Sequence, residues 1–166
     1  TSALFERMGE RAEDASTAAE VLLRADLRGI ETHGVSNMLR RYVEWYREGR
    51  IKARPDWRVV RETPGTATVD ADKGLALFLG PRVMRMAIKK ARAVGAGFVT
   101  LRGSGHSGAI GLHAMLAAEQ DMIGLCMTAG GDGVIPTFAS APMHSTSPIA
   151  VAAPSRSEPP FVFDAA

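Results

Sequence analysis

The sequence predicts an α/β protein with a helical region ahead of its sheet. Three observations support this prediction. The N-terminal part is rich in Ala, Leu, Glu and Arg at helical spacing, and helices alternate with short apolar strands from residue 66 onward. The composition, with 46% hydrophobic and 23% charged residues, is typical of a folded globular protein. The 166 residues suffice for one ordinary domain, or for part of a larger one.

Two helices are predicted in the first part of the chain. Apolar side chains recur at helical spacing across Ala12–Arg28. Ser36 or Asn37 can cap a second helix that reaches about Glu48. The residues that follow are extended and interrupted by prolines. We therefore expect residues 1–64 to form an N-terminal helical region that includes a loop around a histidine.

From Thr66 onward, short strands and amphipathic helices alternate. The predicted strands are 66–69, 97–101, 122–127, 149–153 and 161–163, and the predicted helices are 81–94 and 109–120. We interpret residues 65–166 as the beginning of an α/β domain. The chain starts without a methionine and stops just after an apolar strand pattern, so we expect both ends to be cut from a longer protein.

Charge and cysteine content argue against several function classes. Twenty Lys and Arg residues against eighteen Asp and Glu residues leave a formal charge of +2, and no basic patch indicates nucleic-acid or membrane binding. No apolar stretch approaches the ~20 residues that a membrane span needs. The single cysteine, Cys126, lies in an apolar run and is expected to be a buried thiol in a reducing cytoplasm.

Residues Gly103–Gly108 match the dinucleotide-binding pattern G-x-G-x-x-G, between a predicted strand and a predicted helix. Asp132 stands where an acidic partner of a ribose would belong. Arg102 is unusual in a buried parallel strand, however, and His106 would lie over the pyrophosphate. Three interpretations remain: a nucleotide site, a simple tight turn, and a loop that presents His106, which we favour.

His33 and His106 are the candidate catalytic residues. His33 lies between Thr32 and Gly34 in a connection between helices, and His106 lies in a loop at the carboxyl end of a strand. Imidazole suits proton transfer near neutral pH, for example the proton delivery that must accompany a hydride transfer to a carbonyl carbon. The alternative for each is a surface histidine without a role.

A substrate that has a carboxylate group would need a cation to bind it. Arg40 and Arg41 on the second helix are candidates, and solvent-exposed helix arginines are the alternative. His113 follows His106 by seven positions, as one of a metal-binding pair could. A third ligand at a supporting spacing is missing, so we predict no metal site.

Four segments resemble the type 2 malate/L-lactate dehydrogenase family, in matching order and spacing across nearly the whole chain. They are Ala25–Ser36 (ADLRGIETHGVS), Ser104–Gly108 (SGHSG), Thr146–Val151 (TSPIAV) and Pro160–Asp164 (PFVFD). The resemblance implies an oxidoreductase that uses NAD or NADP and acts on a small 2-hydroxy or 2-oxo acid. It implies a non-Rossmann fold, with a mixed, largely antiparallel sheet, flanking helices and an N-terminal helical region, and a homodimer.

The resemblance also implies roles for individual residues. His33 and His106 match the two active-site histidines, of which one moves the proton and the other orients the substrate, and the sequence does not decide between them. Substrate contacts are expected from Thr32, Asn37, Arg40 and Arg41, and cofactor contacts from Ser104, Gly131, Asp132, Thr146, Asp164 and Ala165.

Several positions differ from the family pattern. Asn37 stands where the family often has an arginine, so its role is expected to pass to Arg40 or Arg41, or to be lost. Ser107 and Ser147 also replace family residues, which points to a less typical substrate. Because family chains continue well beyond residue 166, the competing interpretation is a non-catalytic fragment that acts at most as a binding or interaction domain.

Overall fold

The computed structural model describes residues 1–131 and 133–165. These residues form five α-helices and six strands. The helices are α1 (Ser2–Arg7), α2 (Ala12–Leu27), α3 (Val35–Arg47), α4 (Ala76–Val94) and α5 (Gly111–Ala118), with a 3-10 turn at Glu31–His33. The strands are β1 (Arg58–Glu62), β2 (Thr66–Asp70), β3 (Phe98–Arg102), β4 (Gly124–Met127), β5 (Ile149–Ala153) and β6 (Phe161–Ala165). The predicted α/β class is confirmed.

The strands form two three-stranded sheets, in the orders β1-β2-β3 and β4-β5-β6. Strands β2 and β3 are parallel, and the other three pairings are antiparallel. The prediction of a mixed, largely antiparallel and non-Rossmann fold is therefore confirmed. A nucleotide site at Gly103–Gly108 would require β3 to lie inside a parallel sheet. Among the described residues β3 pairs only with β2, at the edge of a mixed three-stranded sheet, so that interpretation of the glycine pattern is wrong.

Two hydrophobic clusters meet at α5. The larger one joins the N-terminal helices to α4 and α5, and its fully buried side chains include Phe5, Leu22, Tyr42, Leu77 and Phe78. The smaller one lies between α5 and the second sheet, around Ile110, Ala114, Ala150 and Ala152. The predicted boundary between the N-terminal helical region and the α/β domain, after residue 64, lies in the turn between the paired strands β1 and β2. That boundary stays a prediction.

Helix α3 begins earlier than its predicted caps. The carboxylate of Asp26 accepts a hydrogen bond from the N–H of Val35 at 3.0 Å, and Gly34 is the capping position. A Cβ on Gly34 would lie only 1.6 Å from Asp26 Oδ1, so only glycine allows this close approach. The prediction that Ser36 or Asn37 caps the helix is wrong because a carboxylate from α2 satisfies its first turn.

Burial also changes the helix boundaries elsewhere. Helix α4 begins at Ala76, five residues before the predicted start, and Pro81 lies inside it. Its first turns are buried on all sides, so they lack the amphipathic pattern that marks a surface helix. Helix α1 was not predicted, and its only buried residue is Phe5. Tertiary packing, more than local propensity, accounts for both differences.

The described residues include no helix with the length and apolar character needed to cross a bilayer. Cys126 on β4 is partly buried. Burial raises the pKa of its thiol to about 11, with the charge of Asp164 as a second cause, so the thiol stays protonated near neutral pH. The expected burial of this thiol is therefore only partial.

Candidate active site

The rings of His33 and His106 lie face to face. Their centroids are 5.5 Å apart, and their planes differ by 17°. His33 ends the 3-10 turn before α3, and His106 lies in the loop between β3 and α5. The structure therefore brings together the two histidines that the sequence singled out, from segments far apart along the chain.

Two donors meet the Nδ1 atom of His106. The backbone N–H of Gly108 lies 3.1 Å away, and the hydroxyl oxygen of Tyr42 lies 2.8 Å away. Because a backbone N–H can only donate, Nδ1 must accept, and the neutral ring carries its proton on Nε2. The Tyr42 hydroxyl consequently also donates to Nδ1.

His106 is held in its neutral form. Burial is the largest cause that lowers the pKa of its ring to about 4, and the charges of His33 and Arg41 contribute to the same shift. The edge of Trp45 also contacts the ring, with centroids 6.2 Å apart. At neutral pH this imidazole is therefore a hydrogen-bond donor through Nε2–H.

His113 supports the loop that contains His106. Its ring is buried, and its Nε2 donates to the carbonyl oxygen of Ser107 at 2.9 Å. Burial lowers the pKa of His113, so its ring stays neutral. The ring packs so closely on α4 that a Cβ on Gly80 would lie 2.8 Å from Nε2. His113 thus has a structural role, and the described residues contain no cluster of three or more metal-binding side chains.

The glycines of the loop have a packing role. Gly108 has φ +70°, and a Cβ there would lie 2.7 Å from Leu77 on α4. A Cβ on Gly105 would lie 2.8 Å from Ile51. These contacts fix the path of the loop that contains His106, as a tight turn requires, and its role in presenting His106 stays a prediction.

The residues around His33 are joined by local hydrogen bonds. Thr32 Oγ1 lies 3.0 Å from His33 Nδ1, and the amide of Asn37 donates to the carbonyl oxygen of Glu31 at 2.7 Å. Asn37 therefore ties the 3-10 turn to α3. Substrate contacts from Thr32 and Asn37 remain predictions.

The two candidate arginines differ in their surroundings. Arg40 pairs with Glu44 on the same helix at 3.0 Å, and its side chain is 88% exposed. Arg41 is also exposed, but its charge reaches His106 and lowers the pKa of that ring. The two arginines thus differ in whether their charge acts on His106, and substrate contacts from either remain predictions.

Gly131, Thr146 and Ala165, three of the six predicted cofactor residues, lie on the second sheet or in the loop that joins β4 to β5. Met127, Ile149 and Ala165 are neighbours in the strand register there. Gly131 and Thr146 lie in the loop that joins β4 to β5, and Ser104 lies in the exposed start of the His106 loop. Their cofactor contacts remain predictions.

Asp164 and Asp132 differ from the other predicted cofactor residues. Asp164 lies next to Ala165 on β6 but on the opposite face of the sheet, where its carboxylate accepts from the N–H of Gly111. Asp132 lies outside the described residues. Contacts from either residue to a cofactor remain predictions.

Sequence reasoning missed Tyr42 and His113 as parts of the site. Tyr42 has the spacing of a core aromatic on α3, and nothing along the chain indicates the partner of its hydroxyl. His113 was considered only as a metal ligand. Their polar partners, His106 and Ser107, belong to one loop that contacts both helices only in the folded chain.

Comparisons with known proteins agree over the whole chain. Residues 1–166 match a family model described as malate/L-lactate dehydrogenase. Malate dehydrogenase from Pyrococcus horikoshii is 44% identical over 160 residues, which is 96% of this chain and 44% of that protein. L-sulfolactate dehydrogenase from Methanocaldococcus jannaschii is 37% identical over 149 residues, covering 90% of this chain and 43% of that protein. Ureidoglycolate dehydrogenase (NAD(+)) from Escherichia coli O157:H7 is 34% identical over 158 residues, covering 95% and 45%.

Solved structures of dehydrogenases and a reductase are also similar to this chain over nearly its whole length. The malate dehydrogenase structure from Pyrococcus horikoshii OT3 aligns with a TM-score of 0.93 and 42% identity, covering 99% of this chain and 47% of that one. The Δ1-piperideine-2-carboxylate reductase from Pseudomonas syringae pvar. tomato aligns with a TM-score of 0.89 and 29% identity, covering 99% and 49%. The chain thus spans a little under half the length of the relatives it matches.

Proposed function

This chain belongs to the malate/L-lactate dehydrogenase family, and we propose that its complete gene product transfers a hydride between NAD(P) and C2 of a small 2-hydroxy or 2-oxo acid. The stacked pair of His33 and His106 is the observation that supports this most. The relatives are named for malate, sulfolactate and ureidoglycolate, compounds that each have a hydroxyl group beside a carboxylate.

His106 would orient the substrate. Its Nδ1 already receives two hydrogen bonds, so the ring offers Nε2–H to the substrate oxygen. A donor at this position stabilises the negative charge that develops on the oxygen when hydride adds to the carbonyl carbon. Because the pKa of this ring is about 4, it holds no extra proton to give away near neutral pH.

His33 would therefore move the proton. In the direction of reduction, hydride adds to C2, the electron pair of the C=O bond moves to oxygen, and His33 supplies the proton that makes the hydroxyl group. In the reverse direction His33 takes that proton back. His33 lies beside His106 and is only partly buried, which leaves its ring accessible to a substrate.

Arg41 would bind the substrate carboxylate. Its charge already acts at His106, whereas Arg40 is engaged with Glu44. A guanidinium group binds a carboxylate through two parallel hydrogen bonds, which also fixes the orientation of C2. Thr32 and Asn37, close to His33 on either side, complete the proposed substrate contacts.

The end of the second sheet would contribute one side of the nicotinamide site. Met127 and Ile149 expose apolar side chains there, 63% and 45% accessible, on which a planar ring can pack. Gly131, Thr146 and Ala165 beside them are small and exposed, so their backbone groups can be reached. Bound NAD(P) would donate or accept the hydride. The choice of NAD or NADP, the homodimer and the cytoplasmic location stay predictions.

Steady-state kinetics of the complete gene product test the proposal. With 2-oxo acids matched to the named relatives and either reduced nicotinamide cofactor, we expect turnover that falls at least about tenfold in kcat/KM in His33→Asn and in His106→Asn. The pH dependence of kcat should flatten in His33→Asn and persist in His106→Asn. If neither variant loses about tenfold, some ~1.4 kcal/mol, the histidine assignment is contradicted.

A non-catalytic fragment is the second candidate, supported by the coverage of under half of each relative. The intact mass of the natural protein separates the two. A mass well above that of these 166 residues favours the enzyme, and a matching mass favours the fragment.

A further inference from the structure

Tyr42 places a hydroxyl group inside the hydrophobic core. Its side chain is fully buried on α3. Its ring contacts Phe5 of α1 and Trp45 of the same helix, with centroid distances of 6.1 and 5.6 Å. A buried hydroxyl group is costly unless it is hydrogen-bonded. Its partner here is Nδ1 of His106, 2.8 Å away.

The direction of this hydrogen bond follows from its neighbour. Nδ1 of His106 also accepts the N–H of Gly108, so it has no proton of its own to give to Tyr42. Burial raises the pKa of the Tyr42 hydroxyl well above its usual range, so the group stays an O–H donor. Two donors from different segments therefore fix both the tautomer and the plane of the His106 ring.

We infer that Tyr42 is a positioning residue for the reaction: through Nδ1 it holds His106 in the orientation and tautomer that present Nε2–H beside His33. The inference rests on the proposed function. In water a neutral imidazole exchanges between two tautomers, and only one of them offers a donor on Nε2. Because Phe5 packs against the Tyr42 ring, α1 also contributes to this placement.

The variant Tyr42→Phe tests the inference because it keeps the buried ring and removes only the O–H group. Tyr46→Phe is the matched control, since it removes a hydroxyl group of the same helix that donates to Glu10 instead of His106. We expect Tyr42→Phe to lower kcat about tenfold or more with little change in the KM for the cofactor. Tyr46→Phe should retain the wild-type kcat.

Ring-nitrogen NMR shifts of histidine-labelled protein give a readout that does not depend on activity. We expect His106 to be protonated on Nε2 in the wild type and in Tyr46→Phe, and we expect the shift of its Nδ1 to change in Tyr42→Phe, where the N–H of Gly108 is the one donor left to that atom. Protonation on Nδ1 in the wild type, or an unchanged kcat in a folded Tyr42→Phe protein, would overturn the inference. Complete inactivity of the wild type would refute the proposed function instead, and the NMR shifts would still decide the relation of Tyr42 to His106.

Discussion

The carboxylate of Asp164 on β6 accepts a hydrogen bond from the backbone N–H of Gly111, the first residue of α5, over 2.7 Å. The N-terminus of this helix directly follows the His106 loop. In a dinucleotide-binding fold, a phosphate would occupy that position. Here a side chain from the second sheet occupies it, so one hydrogen bond connects the second sheet to the helix behind the active-site loop.

Loss of this cap should destabilise the protein. Asp164→Ala leaves the N–H of Gly111 without its acceptor, and we expect the free energy of unfolding to fall by about 1–2 kcal/mol. Asp164→Asn keeps an acceptor oxygen and should lose less. Urea unfolding of the three proteins measures the difference. Equal losses in the Ala and Asn variants would show that the hydrogen bond to Gly111 does not account for the effect.

Arg41 and Arg40 should differ in their effect on substrate binding. Arg41→Gln removes the positive charge near His106, and we expect the KM for the 2-oxo acid to rise about tenfold or more. Arg40→Gln removes only an exposed arginine paired with Glu44, an interaction worth a few tenths of a kcal/mol, and should leave KM nearly unchanged. Initial-rate measurements with varied substrate decide this. Equal KM values in the two variants would exclude Arg41 as the carboxylate ligand.

Gly80 should tolerate no side chain. In Gly80→Ala the new Cβ would meet the ring of His113 at 2.8 Å in the buried core, so we expect a loss of about 1–3 kcal/mol in stability. In Gly133→Ala, by contrast, nothing lies within 4 Å of the added Cβ. Thermal unfolding compares the two variants with the wild type. A Gly80→Ala protein as stable as Gly133→Ala would mean that the packing of His113 against α4 is looser than described.

Glu10 should make stability fall as the pH rises. Its side chain is buried, Oε1 accepts from the Tyr46 hydroxyl, and Oε2 has no partner among the described residues. Burial raises the pKa of Glu10 from 4.5 to about 7, with the charge of Asp14 also raising it and the Tyr46 hydrogen bond lowering it. Between pH 4.5 and pH 7 the carboxyl group of Glu10 keeps a proton in the folded protein that it has lost in the unfolded chain. The contribution of Glu10 to stability is therefore complete below pH 4.5 and is lost as the pH rises to 7 and above.

The variant Glu10→Gln isolates this contribution. In the wild type, we expect the free energy of unfolding to fall by up to about 3 kcal/mol between about pH 4.5 and about pH 8 because of Glu10. In Glu10→Gln this fall should be absent. Glu158→Gln, an exposed residue between β5 and β6, is the control and should follow the wild-type curve. Parallel pH curves for wild type and Glu10→Gln, from urea unfolding, would contradict the raised pKa.

The fold class and the two histidines could be predicted from the sequence because both depend on local patterns. One face of α2 is buried, so apolar residues recur at helical spacing in its sequence. The first turns of α4 are buried on all sides, so their sequence lacks this spacing. The block from Ala25 to Ser36 identified His33 through its resemblance to a family. The cap of α3 was mispredicted because Asp26 lies nine residues before Val35, the residue it binds.

The sequence by itself determined that this is an α/β chain of a dehydrogenase family, with His33 and His106 as its candidates for proton chemistry. Only the tertiary structure decided how they are arranged and which residues support them. Tyr42 reaches Nδ1 of His106 from α3, sixty-four positions earlier in the chain, and burial keeps that ring neutral. Hydrogen-bond partners and desolvation depend on distances between segments remote in the chain, and those distances exist only in the folded state.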